Sequence, residues 1–394
     1  MFYCQYLAGM GHLVRSTEIV RSLMKDFDVY FINGGQLVPG FELPNVVEVI
    51  NLPALRMENE ELKVVDGFKD IDEVKEERKN QLIAACDRIQ PDCLITECFP
   101  FSKQKLVYEL VPLLDHAKAS EHSPKIICSL RDIIMTQNMK MKARLKKEEK
   151  VCKLINKYYD LVLFHSDSKV QQLEECFPRV NDLNCEVYYT GYVAQSPQEN
   201  PTPTAEDIAN LNRGEPMIVA SVGGGRYGYE LLNAIVEASS ILENSLPHKI
   251  HAFAGPFMPD DEFLLLQKSV ATKSNVILRR YTSQLLAYLN RAELSISLAG
   301  YNTTMNILRT GVRSLIFPAP SEYQSGEQSI RAQKLEKLGV VDIIRPDDLT
   351  PENLAQKVIA CLTKKPALHS FDLQGAQKAS SRLKELLYSK VMVA

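Results

Sequence analysis

The chain lacks most of the features that would settle its class at a glance. Its nine cysteines form no Cys-x-x-Cys pair, and an odd, scattered set fits a reducing cytosol better than a disulfide-stapled secreted scaffold. No apolar stretch reaches membrane-spanning length. The short apolar run at residues 2–8 has no basic segment before it and leads into glycines, so a first core strand is expected there and not a signal peptide. Charge of either sign is scarce in excess: 46 Lys and Arg against 49 Asp and Glu leave a net −3, which argues against a nucleic-acid partner. No low-complexity segment is present, and no internal repeat beyond an alternating strand–helix pattern.

The composition that remains is globular. With 394 residues, 45% hydrophobic and 24% charged, the chain is too long for one ordinary domain and comfortable for two. Short apolar runs alternate with helical periodicity: strands over 2–8, 29–32, 46–50, 93–96, 126–129 and 161–165, helices over 14–24, 71–89, 106–114 and 142–159. After the polar, proline-rich stretch Ser196-Pro197-Gln198-Glu199-Asn200-Pro201-Thr202-Pro203 the alternation restarts, with strands over 217–221, 250–254, 276–278, 294–297, 315–317 and 341–343. Strands that alternate with helices imply parallel sheets covered on both faces. The expected architecture is α/β: two doubly wound Rossmann-like domains facing each other across a cleft. Residues 1–194 form the first, 195–216 a linker, 217–370 the second, and 371–394 a C-terminal helix. Ligands of such sheets bind outside the carboxyl ends of the strands.

Several motifs fall at those ends. Gly9-Met10-Gly11-His12 lies between the first strand and its helix; it reads either as a structural turn or as a site where His12 takes a proton near neutral pH. Arg15, one turn on, reads as a holder of carboxylate or phosphate, or as a surface ion pair. Gly223-Gly224-Gly225, followed by Arg226, lets a loop approach a diphosphate, or is a simple flexible turn. Gly300-Tyr301-Asn302-Thr303-Thr304 opens a helix where free N–H groups and hydroxyls suit diphosphate oxygens; its plainer reading is N-capping by Asn302 or Thr303. Glu327 and Gln328, at a helix start after the loop from Ser321, suit adjacent sugar hydroxyls, or complement the helix dipole. The charge run at 140–150 reads as a solvated helix face, with contact to an anionic membrane surface as the sharper alternative.

Together these motifs resemble the two-domain (GT-B) nucleotide-sugar glycosyltransferases, in particular the family 28-like transferases that act on lipid-linked peptidoglycan precursors. Phe2-Tyr3-Cys4-Gln5 with Gly11-His12-Leu13-Val14-Arg15, and Pro91-Asp92 through Thr96-Glu97 followed by Phe99-Pro100-Phe101, are similar to a bacterial group of predicted glycosyltransferases. The resemblance implies that His12 is a base or acceptor-site residue, with Gly9, Gly11 and Arg15 on the acceptor side. It implies that Gly300, Thr303 and Thr304 hold the diphosphate. The turn over 278–283, including Arg280, Tyr281 and Thr282, would contact the nucleobase, and Glu327 and Gln328 the donor sugar, with Pro318 and Ala319 in the preceding turn. Asn306 stands where such transferases commonly place a ribose-binding glutamate, which puts the usual uridine preference in question. Arg331 replaces a small polar residue. The acidic pair typical of retaining relatives is absent near this helix, which favours inversion.

The expected activity is transfer of a sugar from a nucleotide diphosphate sugar to an acceptor hydroxyl, with no metal and no cofactor. The partners would be the donor, an unnamed acceptor and no nucleic acid, with a cytoplasmic location and a peripheral contact at the inner membrane face. Two alternatives remain: a nucleotide-sugar hydrolase or epimerase of the same fold, and a non-catalytic nucleotide-sugar-binding subunit.

Overall fold

The computed structural model describes residues 1–7, 9–58, 61–65, 70–134, 139–196, 202–319, 326–365 and 370–388. They divide into two compact units: Met1–Leu37, Leu43–Val193 and Asp372–Ala394 in the first, Val38–Glu42 and Ala194–Phe371 in the second.

The first unit is built on a seven-stranded sheet. Its strands are β1 (Phe2–Cys4), β2 (Tyr30–Asn33), β3 (Glu48–Asn51), β6 (Cys93–Glu97), β7 (Lys125–Arg131), β8 (Leu161–His165) and β9 (Glu186–Tyr189), while β4 (Leu55–Glu58) and β5 (Glu61–Val64) pair separately as an antiparallel ribbon. The sheet order is β3-β2-β1-β6-β7-β8-β9, and every neighbour pair is parallel. The winding therefore reverses between β1 and β6, and the crevice at that reversal is where such sheets take ligands. Helices α1 (Gly11–Leu23), α2 (Ile71–Ile89), α3 (Val107–Ala119) and α4 (Met141–Tyr158) cover it. Burial on both faces explains strands such as Leu161–His165, in which all five residues are buried.

The second unit repeats the plan with β10 (Met217–Ser221), β11 (Lys249–Phe253), β12 (Val276–Arg279), β13 (Leu294–Leu298), β14 (Arg313–Phe317) and β15 (Asp342–Ile343). Its order is β12-β11-β10-β13-β14-β15, parallel throughout, so the reversal lies between β10 and β13. Its helices are α5 (Ala205–Asn212), α6 (Tyr229–Glu243), α7 (Asp260–Val270), α8 (Leu285–Arg291), α9 (Tyr301–Thr310), α10 (Glu327–Lys337) and α11 (Pro351–Thr363).

Two boundaries differ from the sequence reading. The stretch 195–216 is not all linker: Thr204 caps α5 by accepting from the Asp207 amide, and Asp207 answers on the Thr204 amide, a reciprocal cap that starts a helix eight residues long. The C-terminal helix α12 (Gly375–Tyr388) is not a separate piece either. Backbone bonds from Tyr192 to Asp372 (2.7 Å) and from Gly375 to Tyr192 (2.9 Å) bring it into the first unit. There Lys384 pairs with Asp26, Arg382 with Glu186, and the Tyr388 ring stacks 5.9 Å from Phe27.

One buried cation braces the first unit. Arg78 on α2 is fully buried and makes two bonds to Glu109 of α3, 2.7 and 2.8 Å long. It also donates to the Gly34 and Pro53 carbonyls (3.1 and 2.6 Å) and to the Gln5 side chain (2.6 Å). A single side chain thus ties two helices to the end of β1. Arg78→Met should leave Glu109 buried without its cation and destabilise the first unit by roughly 3–5 kcal/mol. Urea unfolding followed by far-UV circular dichroism would show it, and a midpoint equal to wild type would disprove the brace.

Candidate functional site

At the reversal of the first sheet, the chain leaves β1 and enters α1 through Gly9 and Met10. No side chain caps this helix start, and His12 sits in its first turn. Among the described residues a Cβ added at Gly9 would meet nothing within 4 Å, so their packing does not call for a glycine there. His12 does not stand alone. Its Nδ1 lies 2.6 Å from Oε1 of Glu97, at the end of β6. Arg15 donates to the same oxygen, and Lys103 reaches Oε2 and the Gln5 carbonyl.

Glu97 is fully buried. Burial alone would raise its pKa, but His12, Lys103 and Arg15 outweigh it and hold the carboxyl well below the usual range. Burial lowers the His12 imidazole, with Glu97 acting the other way; His12 is therefore neutral at pH 7. With Nδ1 turned to a carboxylate, its proton belongs on Nδ1, and Nε2, which makes no bond among the described residues, presents a lone pair.

Arg15 is 2% exposed, so it holds the protein's own carboxylate and is neither a surface ion pair nor a bare ligand contact. The ligand atoms of His12, Glu97 and Cys98 come within 4.8 Å of one another. Both Glu97 oxygens already carry protein cations, and burial raises the Cys98 thiol, which suits a closed proton-handling cluster better than a metal. Behind it His165 is fully buried, with Nε2 2.8 Å from the Ser129 hydroxyl and Nδ1 2.9 Å from the Thr190 hydroxyl.

The corresponding place in the second unit is made of backbone. The loop Gly223-Gly224-Gly225 follows β10 and packs on the turn after β11: a Cβ on Gly225 would lie 2.2 Å from the Ala254 carbonyl oxygen, and its φ is +87°. This packing replaces the flexible-turn reading. Gly300 is the N-cap of α9, and no side chain caps the helix. Asn302 and Thr303 lie inside the first turn, so the N-capping reading does not hold. The Thr304 hydroxyl donates back to the Gly300 carbonyl (2.7 Å), while Thr303 faces the glycine loop, its hydroxyl 4.0 Å from where a Gly223 Cβ would stand. Among the described residues a Cβ on Gly300 would meet nothing within 4 Å. A helix start of this kind beside bare backbone has the geometry that suits an anion. Arg331, given no role by the sequence, adds charge here: it donates to the Ala299 carbonyl (3.0 Å), and its guanidinium lies 5.5 Å from the Tyr301 ring.

The remaining residues are placed as follows. Arg226 is half-buried just beyond the glycine loop. Arg280 turns to the start of α7, donating to the Met258 carbonyl (2.9 Å) and to Asp260 and covering Phe263 at 4.2 Å. Thr282 is buried and donates to Asp207 (2.9 Å). Burial raises the Tyr281 phenol to about 12. Asn306, 1% exposed, donates to the Gln195 side chain (2.6 Å), and its own Oδ1 has no partner among the described residues. Gln328 accepts from the Ala319 amide (3.1 Å), and Glu327 is buried beside it. Residues 321–325 of the polar loop lie outside the described residues. Glu97 and Lys103 are what sequence reasoning left without a role; the only signal was an acidic residue closing an apolar strand.

Residues 219–387 match the model of the glycosyltransferase family 28 C-terminal domain. A UDP-N-acetylglucosamine–N-acetylmuramyl-(pentapeptide) pyrophosphoryl-undecaprenol N-acetylglucosamine transferase of Caldicellulosiruptor saccharolyticus is 28% identical over 149 residues, which is 37% of this chain. The chain spans about two fifths of that relative, 39% of its length. Among solved structures, MurG of Acinetobacter baumannii aligns with TM-score 0.52 at 13% identity, covering 99% of this chain and 98% of that one. A putative UDP-N-acetylglucosamine 2-epimerase from Listeria monocytogenes aligns with TM-score 0.61 at 11% identity, covering 100% and 97%. At these identities the likeness shows the fold.

Two outcomes follow from the geometry. Gly300→Ala should leave the fold intact yet weaken binding of nucleoside diphosphates by about tenfold, because a methyl would stand between the α9 amides and the anion. Calorimetric titration reads it, and unchanged affinity would remove the seat. The second concerns pH. His165 has a folded-state pKa lowered by burial, and by Arg15, from 6.5 to about 3. Its neutral form is favoured by folding, so its contribution is complete above about pH 6.5 and is lost as the pH falls toward 3. His165→Gln should flatten the acid limb of the stability profile by up to about 1.4 kcal/mol per pH unit. Urea titrations from pH 7 to 4 would test this, and parallel wild-type and variant profiles would contradict it.

The doubly wound sheets and the solved structures agree: the chain has the GT-B fold, and its residues 219–387 are similar to the glycosyltransferase family 28 C-terminal domain.

Proposed function

We propose that this chain transfers a sugar from a nucleoside diphosphate sugar to an acceptor hydroxyl, with inversion at the anomeric carbon and without a metal or other cofactor. The observation that carries the reading is the uncapped start of α9 beside the glycine loop, inside the segment matched by the family 28 model. In this reading the α9 amides, Thr303 and Arg331 stabilise the leaving diphosphate, the role that a metal plays elsewhere. Gly223, Gly224 and Gly225 let it approach, and Glu327 and Gln328 serve the sugar.

His12 is the general base. Burial keeps the imidazole neutral, and Glu97 holds its proton on Nδ1, leaving Nε2 to accept the acceptor's proton as the hydroxyl attacks. Arg15 and Lys103 keep Glu97 ionised, so it orients the imidazole and does not compete for the proton. UDP-N-acetylglucosamine and a lipid-linked acceptor, named for the curated relative, are the first substrates to try. A lipid-linked acceptor fits a peripheral contact at the inner membrane face from the cytoplasm. The basic first turns of α4, with Met141 and Leu145 exposed, are the surface for it.

His12→Ala should lower turnover by roughly 100- to 10,000-fold while nucleoside diphosphate affinity stays within twofold of wild type, about the scatter of a remote substitution. Donor consumption with and without acceptor is the measurement. Turnover that survives the substitution refutes the base assignment. Sugar release without acceptor, at a rate near the best acceptor rate, would make the protein a hydrolase, and binding with no turnover would make it a binding subunit.

A further inference from the structure

The turn that follows β12 is held by an element outside the Rossmann plan. Asp207 on α5 is 1% exposed. Its Oδ1 accepts from Arg279 (2.6 Å), from the Thr282 hydroxyl (2.9 Å) and from the Tyr288 hydroxyl (3.1 Å). Its Oδ2 accepts from the Thr204 hydroxyl (2.8 Å) and amide (3.2 Å). Five donors thus converge on one carboxylate. Burial opposes its ionisation, but Arg279, Thr204 and Thr282 prevail and lower its pKa. On the opposite side the same turn is clamped by backbone: the Ala254 amide donates to the Arg279 carbonyl (2.9 Å) and the Gly255 amide to the Arg280 carbonyl at 2.6 Å. Thr282 also accepts from the Gln284 amide (3.0 Å), which fixes the entry into α8. The strand end is therefore gripped at 279 and at 282, and Arg280 and Tyr281 form the bridge between the grips.

We propose that Asp207 is a positioning residue for nucleobase recognition: it holds residues 279–282 in the shape that receives the base of the donor. This rests on the nucleotide-sugar reading given above. Asp207 does not touch the ligand; it acts through Arg279 and Thr282. The diphosphate seat at α9 is built from other elements and is independent of it. Losing Asp207 should therefore separate two affinities that a general loss of structure would lower together.

The test uses the full chain and two kinds of probe, inorganic pyrophosphate for the α9 seat and the nucleoside diphosphates UDP, GDP, ADP and TDP for seat plus base. For Asp207→Asn, the tightest nucleoside diphosphate should bind about tenfold more weakly, the scale of a lost charge-assisted hydrogen bond, while pyrophosphate affinity stays at the wild-type value. If the variant does not fold, Thr282→Val removes one grip and leaves Arg279, Tyr288 and Thr204 on the carboxylate; a smaller loss confined to the nucleotide is then expected. Equal loss of both probes, or no loss of either, overturns the positioning role while leaving the function standing. A wild-type protein that binds none of the nucleotides overturns the function itself, and the positioning role with it.

Discussion

A carboxylate with no exposed surface stays ionised only when positive groups converge on it, and the first unit is arranged around one such group. Glu97 closes β6, and its partners come from two different places: the Arg15 guanidinium and the neutral His12 from α1, the Lys103 ammonium from the turn before α3. A buried ion cluster of this kind is not a large source of net stability, because desolvation opposes the Coulombic gain. What it provides is position. The imidazole is held by its Nδ1, and the end of β1 is held by Lys103 on the Gln5 carbonyl. Gln5 is also gripped from the other side by Arg78. The brace in the core and the cluster at the sheet end thus meet at one residue, and His12 inherits the rigidity of both. Lys103 and Cys98 have left-handed backbone, with φ of +57° and +61°, a local strain that the surrounding bonds over-determine.

The second unit solves its problem with the opposite material. At its sheet reversal the polar groups are backbone amides and threonine hydroxyls, with one arginine behind them. Amides at a helix start need no protonation state and do not titrate, so in the proposed function they would receive a diphosphate equally well across the physiological range. Side chains are needed where a proton must move, and the first unit supplies them. The same doubly wound plan therefore gives two different chemical surfaces, because what is placed at the reversal differs and not because the sheets do.

How much of this the sequence discloses depends on how local the cause is. The strands Leu161–His165 and Met217–Ser221 and the helix Ile71–Ile89 are read to the residue, since a strand buried on both faces must be apolar and Asp70 marks the helix start by capping it. The ribbon β4–β5 and the edge strand β9 escape because their residues are charged or half-exposed and resemble loop. Helices α7 and α11 escape although each carries a start signal: three acids in the first turn of α7, and Thr350 before Pro351 in α11. The glycine turns and His12 are legible because a turn is a property of neighbouring residues. The role of Glu97 is not, since His12 and Arg15 lie 85 and 82 residues away in sequence. The same reason hides the attachment of α12 to the first unit and of α5 to the β12 turn.

Asn306 shows how a buried position constrains what a ligand can offer. A carboxylate there would need a donor, since the site is closed and no cation is among the partners described for it. The amide meets the requirement in part: its Nδ2 is taken by Gln195, and its Oδ1 remains unpaired in a site 1% exposed. An unpaired buried acceptor costs about 1–3 kcal/mol, less than an unpaired carboxylate would cost at the same closed position. A neutral amide also discriminates less strongly between a hydroxyl and an ammonium than a carboxylate does. Asn306 thus fills its closed place on α9 without adding negative charge to that helix. The departure from glutamate then has a physical reason: a closed position with no described cation holds a neutral amide at less cost than a carboxylate.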